Sequence, residues 1–198
     1  MKKYLKLISK TSEKEVPHFK ENKKTESGYV KEYFGDYIGG KITEAKLREG
    51  EYENKKYTNF VLVLDSGMDE LSVEMPHTGL TYSIINSLLT TKPGEDIKIK
   101  VGKKKSDKNG KFYPTGYVNL ANGDKVSWKY DIAQQPRAEK VKGADGNDLI
   151  INGKAVYDDS KVEKFWENAF SAWSGSPAAT RSASASASSV PPPSDDWE

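Results

Sequence analysis

The chain has 198 residues, 35% of them hydrophobic, and a mean hydropathy of −0.76, values that fit a compact core with polar appendages better than 198 packed residues. Lysine and arginine (31) nearly balance aspartate and glutamate (29), so a net charge of +2 makes no case for nucleic acid, and only local clustering of charge can. The absence of cysteine excludes disulfides and thiolate metal sites, and two histidines, His18 and His77, are too few for an ordinary zinc centre, so neither metal nor other cofactor is expected.

Residues 1–28 read as an N-terminal arm. Lys2, Lys3 and Lys6 make its start basic, as a short strand or frayed end, and only Val16 and Phe19 give the following charged stretch apolar anchors. From Tyr29 the chain is rich in aromatic and β-branched residues, and Tyr29–Arg48 is predicted as one long strand bent at Gly39-Gly40. A loop, Arg48–Lys56, leads to Tyr57–Leu64, whose later half is apolar on both faces and reads as a central strand. After a turn at Asp65-Ser66-Gly67, Leu71, Val73 and Met75 alternate with polar residues. Leu80, Ile84, Ile85, Leu88 and Leu89 then recur at helical spacing, with Thr78 as N-cap and Lys92-Pro93-Gly94 as the stop. Strands resume at Ile97–Val101 and Phe112–Leu120 around a lysine-bearing loop, Gly102–Lys111. Asn122-Gly123 marks a hairpin turn into a last strand, Lys125–Tyr130.

Three strands, a helix and two more strands form the succession of an OB-fold, a five-stranded Greek-key barrel. An SH3-like barrel leaves the helix unexplained, and a generic α+β sheet is the other alternative. The expected fold is therefore mainly β: an OB-fold-like barrel over 29–131 with one helix between strands 3 and 4. Residues 132–173 read as an extension packed on the barrel, with a hairpin turning at Asn152-Gly153 and a short helix, Lys161–Trp173. Phe165, Trp166, Phe170 and Trp173 make that helix too apolar for solvent. Residues 174–198 are a flexible Ser/Ala/Pro-rich linker and acidic tail ending in Asp195-Asp196-Trp197-Glu198.

No P-loop, G-x-S-x-G, H-E-x-x-H or cysteine nucleophile is present, so an enzyme is not expected, and scattered carboxylates are the sole support for a nuclease. No leader-like apolar segment opens the chain and no run of about 18 apolar residues occurs, which reads as a soluble, cytoplasmic protein without a membrane partner. Binding chemistry is better represented. The candidate groove aromatics are Tyr33, Tyr37, Tyr52, Tyr57, Tyr113, Tyr117 and Trp128; the candidate phosphate contacts are Arg48, Lys55, Lys56, Lys98, Lys100, Lys103, Lys104, Lys105 and Lys111. If Val118 and Leu120 point inward, Phe112 does too, while Tyr113 and Tyr117 face outward; Trp128 is open between core and groove. Rings that stack on bases beside lysines that meet phosphates are what a single-stranded nucleic-acid groove requires. The plainer alternative is a sheet edge guarded by lysine against aggregation.

The barrel order, the stretch Arg48–Tyr57, Gly116-Tyr117-Val118-Asn119 and Lys125-Val126-Ser127-Trp128-Lys129-Tyr130 together resemble phage-encoded single-stranded-DNA-binding proteins. The linker ending in Asp195-Asp196-Trp197-Glu198 is similar to the acidic, aromatic-tipped tails of bacterial and phage members. The resemblance covers Tyr29–Tyr130 and the tail. It implies sequence-independent binding of single-stranded DNA in replication, recombination or repair, in the host cytoplasm, with the tail recruiting replication or recombination proteins or competing with DNA. Bacterial tails usually end in an apolar residue preceded by proline; here Glu198 follows Trp197, which sets a phage partner or the protein's own groove beside a host pocket as the tail's counterpart. A protein-interaction adaptor and an RNA-binding OB domain are the alternatives.

Overall fold

Seven consecutive buried residues, Thr58–Leu64, make strand β5 (Lys55–Asp65) the centre of the fold. The computed structural model describes residues 1–12, 14–25, 28–107 and 109–175, the side chains between 22 and 33 excepted. On one side of β5 lies β4 (Tyr37–Tyr52), then β7 (Asp96–Lys105) and β8 (Phe112–Leu120); on the other lies β6 (Glu70–Met75). These five strands pair antiparallel throughout. Beyond β6 the sheet continues through β1 (Lys2–Ile8), parallel to β6, and then the antiparallel strands β2 (His18–Thr25) and β3 (Gly28–Gly35). The result is one eight-stranded, strongly curled half-barrel in a mainly β chain.

β4 is long because it serves two partners in turn: Tyr37–Lys41 pair with β7, and Lys41–Tyr52 pair with β5. Two local features allow this. At Gly40, φ is +152° and a Cβ would collide with the Asp65 carbonyl, so only glycine lets the bend close against the end of β5. At Thr43 a β-bulge interrupts the register, Ile42 facing Leu64 and Glu44 facing Val63. The extra residue resets the alternation. Ile38 and Ile42 point inward before it, Ala45 and Leu47 after it; without the bulge Glu44 and Lys46 would enter the core.

Helix α1 (Gly79–Leu88) starts where Thr78 Oγ1 accepts the Thr81 N–H at 3.2 Å, and its Leu80, Ile84, Ile85 and Leu88 are buried in the half-barrel. It lies close on β8: a Cβ on Gly116 would sit 2.8 Å from both Ile84 and Leu80. Helix α2 (Ser160–Ser174) ends at Gly175, whose φ of +71° gives the left-handed cap. It drives Trp166 and Phe170 into the same core. Trp166 stacks on Tyr82 at 5.5 Å, Phe170 meets Phe60 edge-on at 5.3 Å, and Trp173 Nε1 donates to the Thr91 carbonyl at 2.9 Å. Behind them His77 Nε2 lies 3.2 Å from Glu167 Oε1, both side chains almost fully buried. Between the sheet and α2, four two-residue strands make two small ladders: β9 (Glu139–Lys140) with β12 (Tyr157–Asp158), and β10 (Ile150–Ile151) with β11 (Lys154–Ala155) across Asn152-Gly153.

Several expectations are corrected. Of the two readings of the chain's start, the short strand holds (β1), and the charged stretch after it supplies a second, β2, instead of a lead-in, because Leu5, Leu7 and Phe19 alternate into the core while their lysine neighbours face away. The sheet accordingly has eight strands where five were expected. The long strand Tyr29–Arg48 is broken at Gly35-Asp36, and the loop Arg48–Lys56 is a continuous hairpin turning only at Glu53 and Asn54, both at positive φ (49° and 61°). Lys125–Tyr130 forms no strand. Lys125 makes a single bridge with Asn119, Val126 donates to the Val118 carbonyl, and the chain then leaves the sheet for α1, where Asn86 exchanges two 2.8 Å hydrogen bonds with the Tyr130 backbone. The linker and tail lie outside the described residues from 176 onward.

Candidate nucleic-acid interface

Directly paired residues in a sheet project to the same face, so the register sorts the candidate residues without further assumption. With Ile97, Ile99, Val101 and Val118 buried, the outward face of β4, β7 and β8 carries the row Tyr37–Lys100–Tyr117, the row Gly39–Lys98–Asn119 and the pair Lys104–Tyr113. Past the Thr43 bulge the same outward face continues through the pairs Arg48–Asn59, Gly50–Tyr57 and Tyr52–Lys55. Ten of the sixteen candidates therefore share one side of the sheet: Tyr37, Arg48, Tyr52, Lys55, Tyr57, Lys98, Lys100, Lys104, Tyr113 and Tyr117.

Their surroundings differ. Tyr37 is 55% exposed and Tyr113, which accepts a 2.8 Å hydrogen bond from Asn109 Nδ2, is 47% exposed. The Lys125 ammonium lies 5.5 Å from the centre of the half-buried Tyr117 ring, a cation–π contact. Tyr57 lies across Gly50, where any Cβ would strike its ring; the glycine is the seat for that tyrosine, so part of its surface already serves the hairpin. The neighbouring Glu53 carboxylate, hydrogen-bonded to the Tyr52 phenol, raises it above its ordinary pKa.

Charge separates the outward face into two halves. Around β5, β6 and β1 the charges are matched: Lys46 with Glu44 at 2.7 Å, Lys2 with Glu70 at 2.6 Å and Arg48 with Glu74 at 3.7 Å. On β7, the exposed Lys98, Lys100 and Lys104 form no ion pair with an acidic residue among the described residues. Three lysines without an acidic partner thus stand on the β7–β8 side, beside Tyr37, Tyr113 and Tyr117, with the exposed Asp96 at the start of the same strand.

The remaining candidates fall elsewhere. Lys103 and Lys105 have the opposite parity and lie 4.8 and 5.8 Å from the Phe112 ring; Lys103 also donates to the Ser12 carbonyl at 2.7 Å, tying the β1–β2 loop to β7. Lys56 pairs with Glu51 on that other face, and Lys111 stands exposed in the β7–β8 turn. Trp128 is 46% exposed, so it is not a core residue; its segment is fixed by Thr90 Oγ1 donating to the Ser127 carbonyl at 2.9 Å. The side chain of Tyr33, and Asp195, Asp196, Trp197 and Glu198, lie outside the described residues. Two residues outside the binding candidates join the outward face: Asn119, whose outward parity with Tyr117 the sequence already implies, and Lys125, which the Asn122-Gly123 turn returns over β8.

Comparison with protein-family models, curated proteins and solved structures finds no match to this chain. Among the described residues no helix is long and apolar enough to cross a membrane.

Proposed function

We propose that this protein binds single-stranded DNA without requiring a defined sequence, as a non-catalytic component of replication, recombination or repair. The order β6-β5-β4-β7-β8, with α1 between the third and fourth of these strands in sequence, supports an OB-fold reading of the half-barrel. The observation that carries the function is the face on which Tyr37, Tyr113 and Tyr117 alternate with Lys98, Lys100 and Lys104, the lysines having no acidic partner among the described residues. Tyrosines there stack on bases and lysines displace counterions from phosphates. Titrating oligo-dT against intrinsic tryptophan fluorescence tests this: quenching that saturates at low salt and weakens steeply as salt rises is expected, and no detectable binding at low salt would overturn it. The acidic tail recruits partner proteins or competes for the same face. If it competes, removing 176–198 preserves or tightens DNA binding; weaker binding would rule competition out. A protein-interaction adaptor is the second reading, favoured by Ile132, Ile150 and Ile151, which are more than half exposed outside the large sheet. It expects no salt-dependent affinity for oligonucleotides.

A further inference from the structure

The outward face holds a recess beside the bend of β4. Gly39 and Gly40 form part of its lining, and Tyr37, Lys98, Asp65 and Asp96 contribute to a volume of about 520 Å³, within the range of small-ligand sites. The register fixes the arrangement. Gly39 occupies the row shared with Lys98; the row of Tyr37 lies two residues to one side and the row Asp65–Lys41–Asp96 two residues to the other, each about 7 Å away. Met68, 88% exposed in the turn after β5, also lines the recess. A flat ring can lie here against a tyrosine and a polarizable thioether, with a lysine at hand for its phosphate.

The two carboxylates require an explanation on a surface meant for a polyanion. Asp65 Oδ1 accepts the Gly67 N–H at 2.9 Å, while the Asp96 side chain makes no hydrogen bond or ion pair among the described residues. Lys41, paired between them, forms an ion pair with neither among those residues. Ionised carboxylates only accept hydrogen bonds, so they suit a ligand edge that donates. Cytosine and adenine present an exocyclic amine with two N–H donors, whereas thymine presents a single N3–H flanked by two carbonyl oxygens that carboxylates repel.

We infer that this recess receives one base of the bound strand and favours bases bearing an exocyclic amine. The inference rests on the single-strand-binding reading and adds to it a base preference at one position. The test compares oligo-dC with oligo-dT of equal length at one salt concentration, in the intact protein and in the variant D65N/D96N. Asparagine keeps the shape and the Asp65 turn, removes the acceptor-only character, and any general gain from losing negative charge cancels in the ratio. Oligo-dC is expected to bind about fivefold more tightly than oligo-dT in the native protein, and the variant to bring the ratio near one. If both oligonucleotides bind in a salt-dependent way but their ratio is near one, or is unchanged by D65N/D96N, the recess is not a base site while strand binding stands. If neither binds, the underlying reading fails with it.

Discussion

Tyr37 shows how much one position can report. It ends the bend of β4, pairs with Lys100 across from Tyr117, and leaves more than half of its surface in solvent, so packing does not account for it. Tyr37→Ala is therefore expected to leave the urea midpoint almost unchanged while weakening oligo-dT by about 1–3 kcal/mol, one stacked base. A large loss of stability with unaltered binding would make Tyr37 a structural residue instead. Lys103 and Lys105 teach the converse. They belong to the same lysine run as Lys104, yet Phe112 and the Ser12 carbonyl take them on the other face. The sequence reading grouped all three as phosphate contacts; the signal that divides them is the apolar Val101, whose strand parity carries its direction on to 103 and 105.

At the scale of elements, α2 is the test of whether the C-terminal extension belongs to the domain. Trp166 is buried against Tyr82 and Phe165, so Trp166→Ala is expected to cost about 3–5 kcal/mol in urea unfolding. A cost below about 1 kcal/mol would mean that the helix is an appendage. The first strand is held differently. Lys3 donates to Asp69 at 2.6 Å, and this hydrogen bond holds the Asp69 carboxyl below the usual carboxylate range. A depressed carboxylate stabilises the fold above its unfolded pKa of about 3.9 and loses that contribution as pH falls through the lower folded value. Asp69→Asn is thus expected to destabilise the protein near pH 6 and to make progressively less difference below about pH 4; an equal effect at both would remove the ion pair from the account. The helices were legible because Leu80, Ile84, Ile85 and Leu88, and later Phe165, Trp166, Phe170 and Trp173, repeat at helical period. Strand β1 was legible only as one of two readings and β2 not at all, because lysine-rich alternation resembles a solvated arm and the parallel partner of β1 begins at Glu70, far along the chain. The Thr43 bulge was equally hidden, since no residue type there announces it. The glycines that do attract notice, Gly39 and Gly40, make the bend and line the recess.

For the whole molecule, a net charge of +2 conceals an uneven surface. Ion pairs absorb charge around β1, β5 and β6, while β7 keeps three lysines beside tyrosines on a face that the core does not use. The curl of the sheet, Gly40 and the bulge together bring β4 and β7 side by side, so a face that sequence could only sketch as scattered residues becomes one track. The lysine-guarded edge remains the competing explanation, and edge protection does not depend on which strand of a nucleic acid is offered. The salt dependence of oligo-dT binding separates the two. Each phosphate neutralised on a single strand contributes about 0.7 to the slope of log affinity against log salt. Replacing Lys98, Lys100 and Lys104 together by glutamine is expected to reduce that slope by about 2 while leaving the fold intact; a slope unchanged from that of the native protein would contradict the assignment of this face.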